Sequence, residues 1–276
     1  MTAAGEPVCV DEQVILEICR ILNQHLGFTY GGSKRYLISS RLNHRLRELN
    51  LPGYSDYLQV LWQDPREIDR LFDLLTTHVT GFFREPDQYQ ILSRELAPML
   101  MKRFAITKKL RCWSAGCSSG EEAYTLAMVL SESLGPGWDI KILASDISRE
   151  ILTEGMSGIY AAPGMAEIPQ SLARKYFTKS PDGATFQVRP ELREQVVFRR
   201  INLNETFEIP GHIHFALIFC RNVFIYLSVA ARERIIEGFH SVLEPGGFLF
   251  VGHSEPLNIL DNKRWRPFKN CIYQKV

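Results

Sequence analysis

The sequence predicts an α/β protein with a doubly wound, mainly parallel sheet, an all-helical N-terminal domain and a small inserted β-containing subdomain. Apolar residues recur at helical spacing through the first 75 residues. From about residue 110, short apolar runs alternate with helical patterns, which is the rhythm of βαβ units. Between 157 and 194 that rhythm stops, and a Pro-Asp-Gly turn signal appears at 181–183. We therefore expect a helical domain at 1–90 and a sheet domain at 91–276.

Helical periodicity accounts for most of the first domain. Val14, Ile15 and Ile18 open a stripe that continues down one face of the first helix, and Pro65 suits the first turn of the fourth. The helices are predicted at residues 11–26, 33–49, 54–61 and 65–75.

The second domain consists of apolar strands and the helices that connect them. Strands are predicted at 110–115, 140–145, 196–201, 215–220, 248–251 and 271–275. Connecting helices are predicted at 121–134, around 150 and at 229–243, and the insertion has a helix at 170–177 and a strand pair around 184–189. We expect the final strand to lie at an antiparallel edge of the sheet.

Composition excludes several classes of protein. The formal net charge is +1, so recognition of a charged partner must be local, and nucleic acid is disfavoured. No apolar run approaches the roughly 18 residues of a membrane span, and the first ten residues do not resemble a secretory signal. The six cysteines show neither a CxxC pair nor metal-site spacing, which indicates reduced thiols, a cytoplasmic protein and no metal.

The turn after the first strand is the first candidate site. It reads G-C-S-S-G over 116–120 and is followed by Glu121 and Glu122. It matches neither a dinucleotide fingerprint nor a phosphate loop, and two carboxylates at a helix start repel a phosphate. They suit a cation such as S-adenosylmethionine, which carries a sulfonium and an ammonium group. The alternative is a helix-capping box, with Ser119 as N-cap and Glu122 three residues into the helix.

Asp146 ends the second predicted strand and is the second candidate. An acid at this position can accept hydrogen bonds from both ribose hydroxyls of a nucleoside cofactor. The alternative is a cap on the helical run that begins at Arg149. Together with Glu122, we favour the ligand-binding interpretation.

Five longer segments share a resemblance to one family. They are T-T-H-V-T-G-F-F-R-E (76–85), W-S-A-G-C-S-S-G-E-E-A-Y-T-L-A (113–127), A-S-D-I (144–147), I-F-C-R-N-V-F-I-Y-L (218–227) and L-E-P-G-G-F-L-F-V-G-H-S-E (243–255). In combination they resemble the CheR family of chemotaxis protein-glutamate O-methyltransferases, across nearly the whole chain. The resemblance implies the class I S-adenosylmethionine-dependent methyltransferase type of sheet. It also implies methylation of glutamates on the cytoplasmic domain of methyl-accepting chemotaxis receptors, for adaptation in this signal transduction pathway.

The resemblance also implies a set of site residues. The implied cofactor contacts are His78, where the family often has Asn, and Thr80, Arg84, Glu122, Asp146, Asn202, Leu203, Arg221 and Asn222. We expect His253 and Glu255 to shape the same edge of the sheet.

The chemistry of a glutamate acceptor needs few catalytic groups. Its reference pKa is about 4.3, so the carboxylate is already a nucleophile at neutral pH and requires no general base. Arg84 is the candidate to hold this carboxylate, and the alternative is a surface or capping arginine. Tyr226 is the candidate to donate a hydrogen bond to it, and the alternative is a core tyrosine. Two rival functions remain: a methyltransferase with another acceptor, and a cofactor-binding sensor or scaffold without turnover.

The second helix is basic and suggests a partner surface. We expect its basic residues to face outward and form a dock for acidic receptor helices, although a solvated face is the commoner outcome. The residues are Lys34, Arg35, Arg41, His44, Arg45 and Arg47.

Overall fold

The structure, a computed structural model, describes residues 11–29, 32–206, 208–257, 263–269 and 271–276, without the side chains of 32–35 and 37. It divides into two compact units. The first runs to Thr77 and includes Tyr226–Ala231, and the second comprises His78–Ile225 and Arg232–Val276. The division falls earlier in the chain than the boundary we expected at residue 90. The reason is that Phe82 and Phe83 pack within the second unit, where the Phe83 amide donates to Thr125 Oγ1 at 3.2 Å.

The first unit contains the four predicted helices. They are α1 (Glu12–Leu26), α2 (Gly32–Glu48), α3 (Tyr54–Gln63) and α4 (Pro65–Leu75). Asp11 caps α1 by accepting from the amides of Gln13 and Val14, and Asp64 caps α4, whose first residue is Pro65. The apolar stripes of the helices meet in a common core.

Two basic side chains of α2 face inward, so the prediction that they point outward is wrong for them. Arg41 Nη1 donates to the carbonyls of Leu74 and Thr76 at 2.8 and 2.7 Å. Arg45 makes a two-point ion pair with Glu67, at 2.8 and 2.7 Å, and the Glu67 residue is 5% exposed. A buried carboxylate needs such a partner, which explains why Arg45 turns towards α4.

The other described basic residues of α2 lie on the surface, and His44 is exposed beside Glu48. The side chains of Lys34 and Arg35 lie outside the described residues. Arg47 lies on the surface, where its Nε donates to the carbonyl of Asn43 at 3.1 Å. A dock on this helix therefore cannot use Arg41 or Arg45, while Arg47 remains a candidate.

The second unit is built on a seven-stranded sheet and a three-stranded one. The strands are β1 (Lys109–Ala115), β2 (Asp139–Asp146), β3 (Ile159–Ala161), β4 (Phe177–Lys179), β5 (Thr185–Val188), β6 (Val196–Arg200), β7 (Phe215–Cys220), β8 (Leu243–Val251), β9 (Trp265–Lys269) and β10 (Ile272–Lys275). The helices are α5 (Pro86–Ile91), α6 (Ala97–Arg103), α7 (Glu121–Leu134), α8 (Arg149–Ser157), α9 (Gln170–Tyr176), α10 (Pro190–Arg193) and α11 (Val229–Val242).

The large sheet has the order β6-β2-β1-β7-β8-β10-β9, with β6 to β8 parallel and β10 antiparallel to both neighbours. This confirms the predicted mainly parallel, doubly wound sheet. Its central strand β7 is buried at every residue, as a continuous apolar run predicts. The chain order reverses between β1 and β7, which is where ligands bind in open α/β sheets.

Three features of this unit were not predicted or were predicted wrongly. The final strand β10 lies inside the sheet, and the edge is β9, whose charged, proline-containing run W-R-P-F-K does not look like a strand. The helical segment from Pro86 to Arg103, which includes a π-helical turn at Leu92–Leu96, was not predicted. The insertion has three strands, in the antiparallel order β3-β5-β4, where we expected two. In the described residues, no helix is long and apolar enough to cross a membrane.

Candidate functional site

The residues of the candidate site gather where β1, β2, β7 and β8 end. The Gly-rich turn follows β1, Asp146 ends β2, Arg221 and Asn222 follow β7, and the segment 252–255 follows β8. Because parallel strands present their carboxyl ends at one edge, residues far apart in sequence meet here.

Two glycines give the turn after β1 its shape. Gly116 and Gly120 have φ of 81° and 92°, a region that favours glycine. A Cβ on Gly116 would lie 2.5 Å from Val223 Cγ2, and one on Gly120 would lie 2.9 Å from the ring of Phe198. The turn therefore packs too closely on its neighbours for any larger residue at these positions.

The capping-box interpretation of Glu122 is wrong. The N-cap of α7 is Gly120, with no side-chain cap, and Ser119 Oγ donates to Glu121 instead, at 2.7 Å. The Glu122 carboxylate accepts from Ser114 Oγ at 2.6 Å and from Arg221 Nε at 2.7 Å. Glu122 is thus held at the ends of β1 and β7.

Arg221 is the centre of a buried polar cluster. Its side chain is 2% exposed. Besides Glu122, it donates to Gln88 Oε1 at 3.1 Å, to Glu85 Oε2 at 3.5 Å and to the Tyr89 hydroxyl at 3.4 Å. Burial lowers the pKa of Arg221, but Tyr89, Glu122 and Glu85 outweigh burial and raise the pKa above its ordinary value. The guanidinium is therefore charged at every accessible pH.

Glu85 connects this cluster to the ends of β7 and β8. Its backbone φ of 59° lies in the left-handed region, immediately before α5. Its Oε1 accepts from Asn222 Nδ2 and from the His253 amide, each at 3.4 Å, while Oε2 contacts Arg221.

Glu255 holds the loops after β7 and β8 together. Its buried carboxylate accepts from the amides of Asn222 at 2.6 Å, Gly252 at 2.9 Å and Ile225 at 3.0 Å. Burial raises the pKa of this carboxyl, and the three amides oppose the shift. Asn222 itself has φ of 60°, so this carboxylate stabilises a backbone conformation that a non-glycine residue seldom adopts.

Asp146 faces the Gly-rich turn, and its capping interpretation is wrong. Ser148 is the N-cap of α8, accepting from the Ile151 amide at 3.2 Å. Asp146 accepts from the amides of Ser118 at 3.0 Å and Ser148 at 3.1 Å. Burial raises its pKa, while the nearby His78 lowers it.

The remaining predicted residues lie near these or stand apart. Ser118 Oγ donates to the His78 carbonyl at 2.9 Å, and the Ile201 amide donates to the Asp146 carbonyl at 3.1 Å, which places Asn202 and Leu203 just beyond the end of β2. Thr80 and Arg84 are half-buried, and Arg84 donates to the carbonyl of Val79 at 2.8 Å.

Tyr226 belongs to the first unit, where its carbonyl accepts from the Thr29 amide at 2.8 Å and its ring lies 5.9 Å from that of Phe28. Its catalytic role and the cofactor contacts as a set stay predictions. Polar partners that the sequence analysis did not name are Glu85, Gln88, Tyr89, Ser114 and Ser118. Glu85, Ser114 and Ser118 lie inside quoted motifs, so the motifs marked their positions but did not indicate their roles.

The charge of the site fits a cationic nucleoside cofactor. The carboxylates of Glu85 and Glu122 share the single Arg221 guanidinium, and the Asp146 carboxylate accepts from the Ser118 amide without a contact to that cation. This excess of carboxylates suits a sulfonium and an ammonium group and disfavours a phosphate. Among the residues that the structure describes, no group of three or more His, Cys, Asp or Glu side chains is placed to hold a metal ion.

The sheet order, the Gly-rich turn after β1 and the acid that ends β2 define a class I S-adenosylmethionine-dependent methyltransferase. Residues 78–272 match the family model "CheR methyltransferase, SAM binding domain", and residues 15–76 match "CheR methyltransferase, all-alpha domain". The chain belongs to the CheR methyltransferase family.

Similar proteins match the chain over most of its length. A chemotaxis protein methyltransferase of Borreliella burgdorferi is 33% identical over 273 residues, which is 96% of this chain and 95% of the relative. The protein of that name from Salmonella typhimurium is 37% identical and covers 86% of this chain and 82% of itself. Chemotaxis protein methyltransferase 2 of Pseudomonas aeruginosa is 38% identical, with 83% and 81% covered.

Proposed function

We propose that this chain transfers a methyl group from S-adenosylmethionine to glutamate side chains on the cytoplasmic domain of bacterial chemotaxis receptors. The products are a glutamyl methyl ester and S-adenosylhomocysteine. The observation that carries the proposal is the match over nearly the full length of relatives named chemotaxis protein methyltransferase. The carboxylate-lined strand ends support the cofactor.

The cofactor, when bound, supplies a methyl group on a positively charged sulfur. Glu122 is positioned to bind the ammonium of its methionine part, because Ser114 and Arg221 fix its carboxylate. Asp146 would accept hydrogen bonds from the ribose hydroxyls of the cofactor. Asn202 and Leu203 would contact the cofactor beyond the end of β2. Arg221 acts through Glu122, which it orients.

The acceptor carboxylate attacks the methyl carbon, and the electron pair of the broken sulfur–carbon bond stays on sulfur. No proton moves, so the site needs no general base. A cation and an anion become two neutral groups, so a dry site favours the reaction. Arg84 holds the acceptor carboxylate in line, and Tyr226 donates a hydrogen bond to it.

The acceptor is a helix of the receptor, and the basic surface of α2 is the candidate dock. Arg47, which lies on the surface, supports this proposal, together with Lys34 by sequence. Arg41 and Arg45 are committed to contacts within the first unit.

Transfer of radiolabelled methyl to purified receptor cytoplasmic fragments tests the acceptor. We expect label on the receptor that mild alkali releases as methanol, which is the behaviour of a methyl ester. A control fragment with its candidate glutamates changed to alanine should stay unlabelled. Alkali-stable label would point to another acceptor group, and cofactor binding without label would point to the sensor.

Substitution of Arg84 separates the enzyme from the sensor. We expect Arg84→Ala to lower the methylation rate at least 100-fold, because a group that orients and polarises reactants contributes about 3 kcal/mol. Cofactor affinity, measured by calorimetry, should change less than tenfold. Arg84→Lys is the matched control: it keeps the charge but lacks the planar guanidinium, and we expect an intermediate rate. Equal rates in all three proteins would contradict the role of Arg84.

A further inference from the structure

The described part of the connection between β6 and β7 places no helix over the large sheet. On one face, α7 packs on β1, β2 and β6, and α8 packs on β2 and β6. On the other face, the described part of the segment from 201 to 214 contains no helix. A parallel sheet usually has both faces covered, because helices of the crossover connections lie on them. An open face of this kind therefore requires an explanation.

The strand register shows which side chains occupy this open face. Leu143 pairs with Val197, and Arg111 pairs with Lys141. Residues paired in a parallel sheet and those two positions apart share a face, so Lys141, Leu143, Val197 and Arg199 lie together. Val197 is 41% exposed. In contrast, Ile142 and Ala144, which flank its partner Leu143 in β2 and alternate to the opposite face, are fully buried.

A cavity of about 660 Å³ lies over this face, bounded on its far side by residues of the segment before β7. The volume is in the range of small-molecule sites, roughly 300–1,000 Å³. Its apolar lining includes Leu143, Val197, Ile201, Ile209, Ile213 and Phe215.

The charged residues around the cavity differ in whether they are already paired. Arg111 donates to the Asp139 carboxylate at 2.6 Å, and Lys141 donates to the Glu194 carbonyl at 2.7 Å. Arg200 Nε donates to the Ile147 carbonyl at 2.8 Å, and Glu205 accepts from Asn202 Nδ2 at 2.8 Å. The carboxylate of Glu208, which also lines the cavity, lies on its exposed loop wall. The exposed side chain of Arg199 makes no hydrogen bond or ion pair with any residue in the described parts of the chain. An exposed cation that stands beside an apolar floor favours an anion with an apolar body.

We propose that this cavity binds an organic anion that carries one sulfonate, carboxylate or phosphate group on a flat apolar body. The anionic group lies on Arg199, and the body lies on Leu143 and Val197. The site is separate from the cofactor site, because neither the Gly-rich turn nor Glu122 nor Asp146 lines the cavity. It shares only Asn202 with the predicted cofactor contacts, and it does not depend on which acceptor is methylated.

The probe for this site is 8-anilinonaphthalene-1-sulfonate, which has an aromatic body and one sulfonate. We expect saturable fluorescence enhancement with one site per chain, in the presence of excess S-adenosylhomocysteine to occupy the cofactor site. Arg199→Glu should weaken binding at least tenfold, and Val197→Trp, which fills the floor, should weaken it similarly. Arg266→Glu on β9 is the matched control, because it reverses another exposed arginine at the opposite edge of the sheet, and it should change affinity less than twofold.

Three results would overturn the proposal. The first is the absence of saturable binding in the presence of S-adenosylhomocysteine. The second is binding that survives both Arg199→Glu and Val197→Trp, and the third is binding that falls equally in Arg266→Glu. Circular dichroism of each variant checks that the sheet is intact. The two cavity variants change different properties, charge and volume, so one folded variant is enough for the test. If neither folds, Leu143→Lys replaces them and is judged by the same tenfold criterion.

Discussion

Replacement of Arg221 by methionine is expected to lower the free energy of unfolding by about 3–5 kcal/mol, the usual cost of removing one partner of a buried ion pair. Methionine retains much of the side-chain volume and removes the charge. Glu122 would then keep only the Ser114 hydroxyl, and Glu85 would lose its cation. The two carboxylates that Arg221 contacts would then lack their shared cation, and cofactor binding should fall with stability.

Urea denaturation at neutral pH measures this loss, and two controls isolate its cause. Lys269→Met removes the exposed ion pair with Glu95, also in the second unit, and should cost at most about 1 kcal/mol. Adding Glu122→Gln to Arg221→Met should recover part of the stability, because the orphaned carboxylate is gone. A loss under 1 kcal/mol in Arg221→Met would contradict the cluster as described.

The parts of the fold that follow local rules could be predicted from the sequence. Asp11 before an amphipathic run and Asp64 before Pro65 mark helix starts, and the structure has helices there. The run that forms β7 is apolar throughout, as a strand covered on both faces must be. These signals lie within a few residues of the element that they predict.

The parts of the site that depend on distant partners could not be predicted. Glu85 meets Arg221 136 positions away in sequence, and no periodicity signals that pairing. Arg45 looked like a surface residue because its partner Glu67 lies on another helix. The alternative roles of Glu122 and Asp146 as helix caps matched local sequence rules, yet Gly120 and Ser148 occupy those cap positions. Local rules therefore offered two interpretations at both acids, and only tertiary contacts distinguish between them.

Asparagine in place of Asp146 is expected to weaken cofactor binding about 100-fold. A carboxylate that accepts from two hydroxyls contributes about 3 kcal/mol through hydrogen bonds to a charged group, and each 1.4 kcal/mol is about tenfold in affinity.

Burial raises the pKa of Asp146, so ionisation of this carboxyl costs folding stability. That cost appears as the pH rises through the raised pKa. At neutral pH, Asp146→Asn removes this cost, but the amide nitrogen of asparagine cannot accept from the Ser118 or Ser148 amide, so the loss of one hydrogen bond offsets the gain in stability while affinity falls.

The pH dependence of cofactor affinity separates this role from a structural one. In the unaltered protein, affinity for S-adenosylhomocysteine should fall about tenfold per pH unit below the raised pKa of Asp146, because only the carboxylate accepts both hydroxyls. The fall should begin at a higher pH than for an ordinary aspartate. In Asp146→Asn, this dependence should vanish and affinity should be uniformly low. Asp182→Asn is the matched control, because Asp182 is an exposed acid of the insertion whose pKa is lowered by its bonds to Ser180 and to the Ala184 amide. If Asp146→Asn binds as tightly as the unaltered protein at pH 7, Asp146 orders the Gly-rich turn through Ser118 and contacts no ribose.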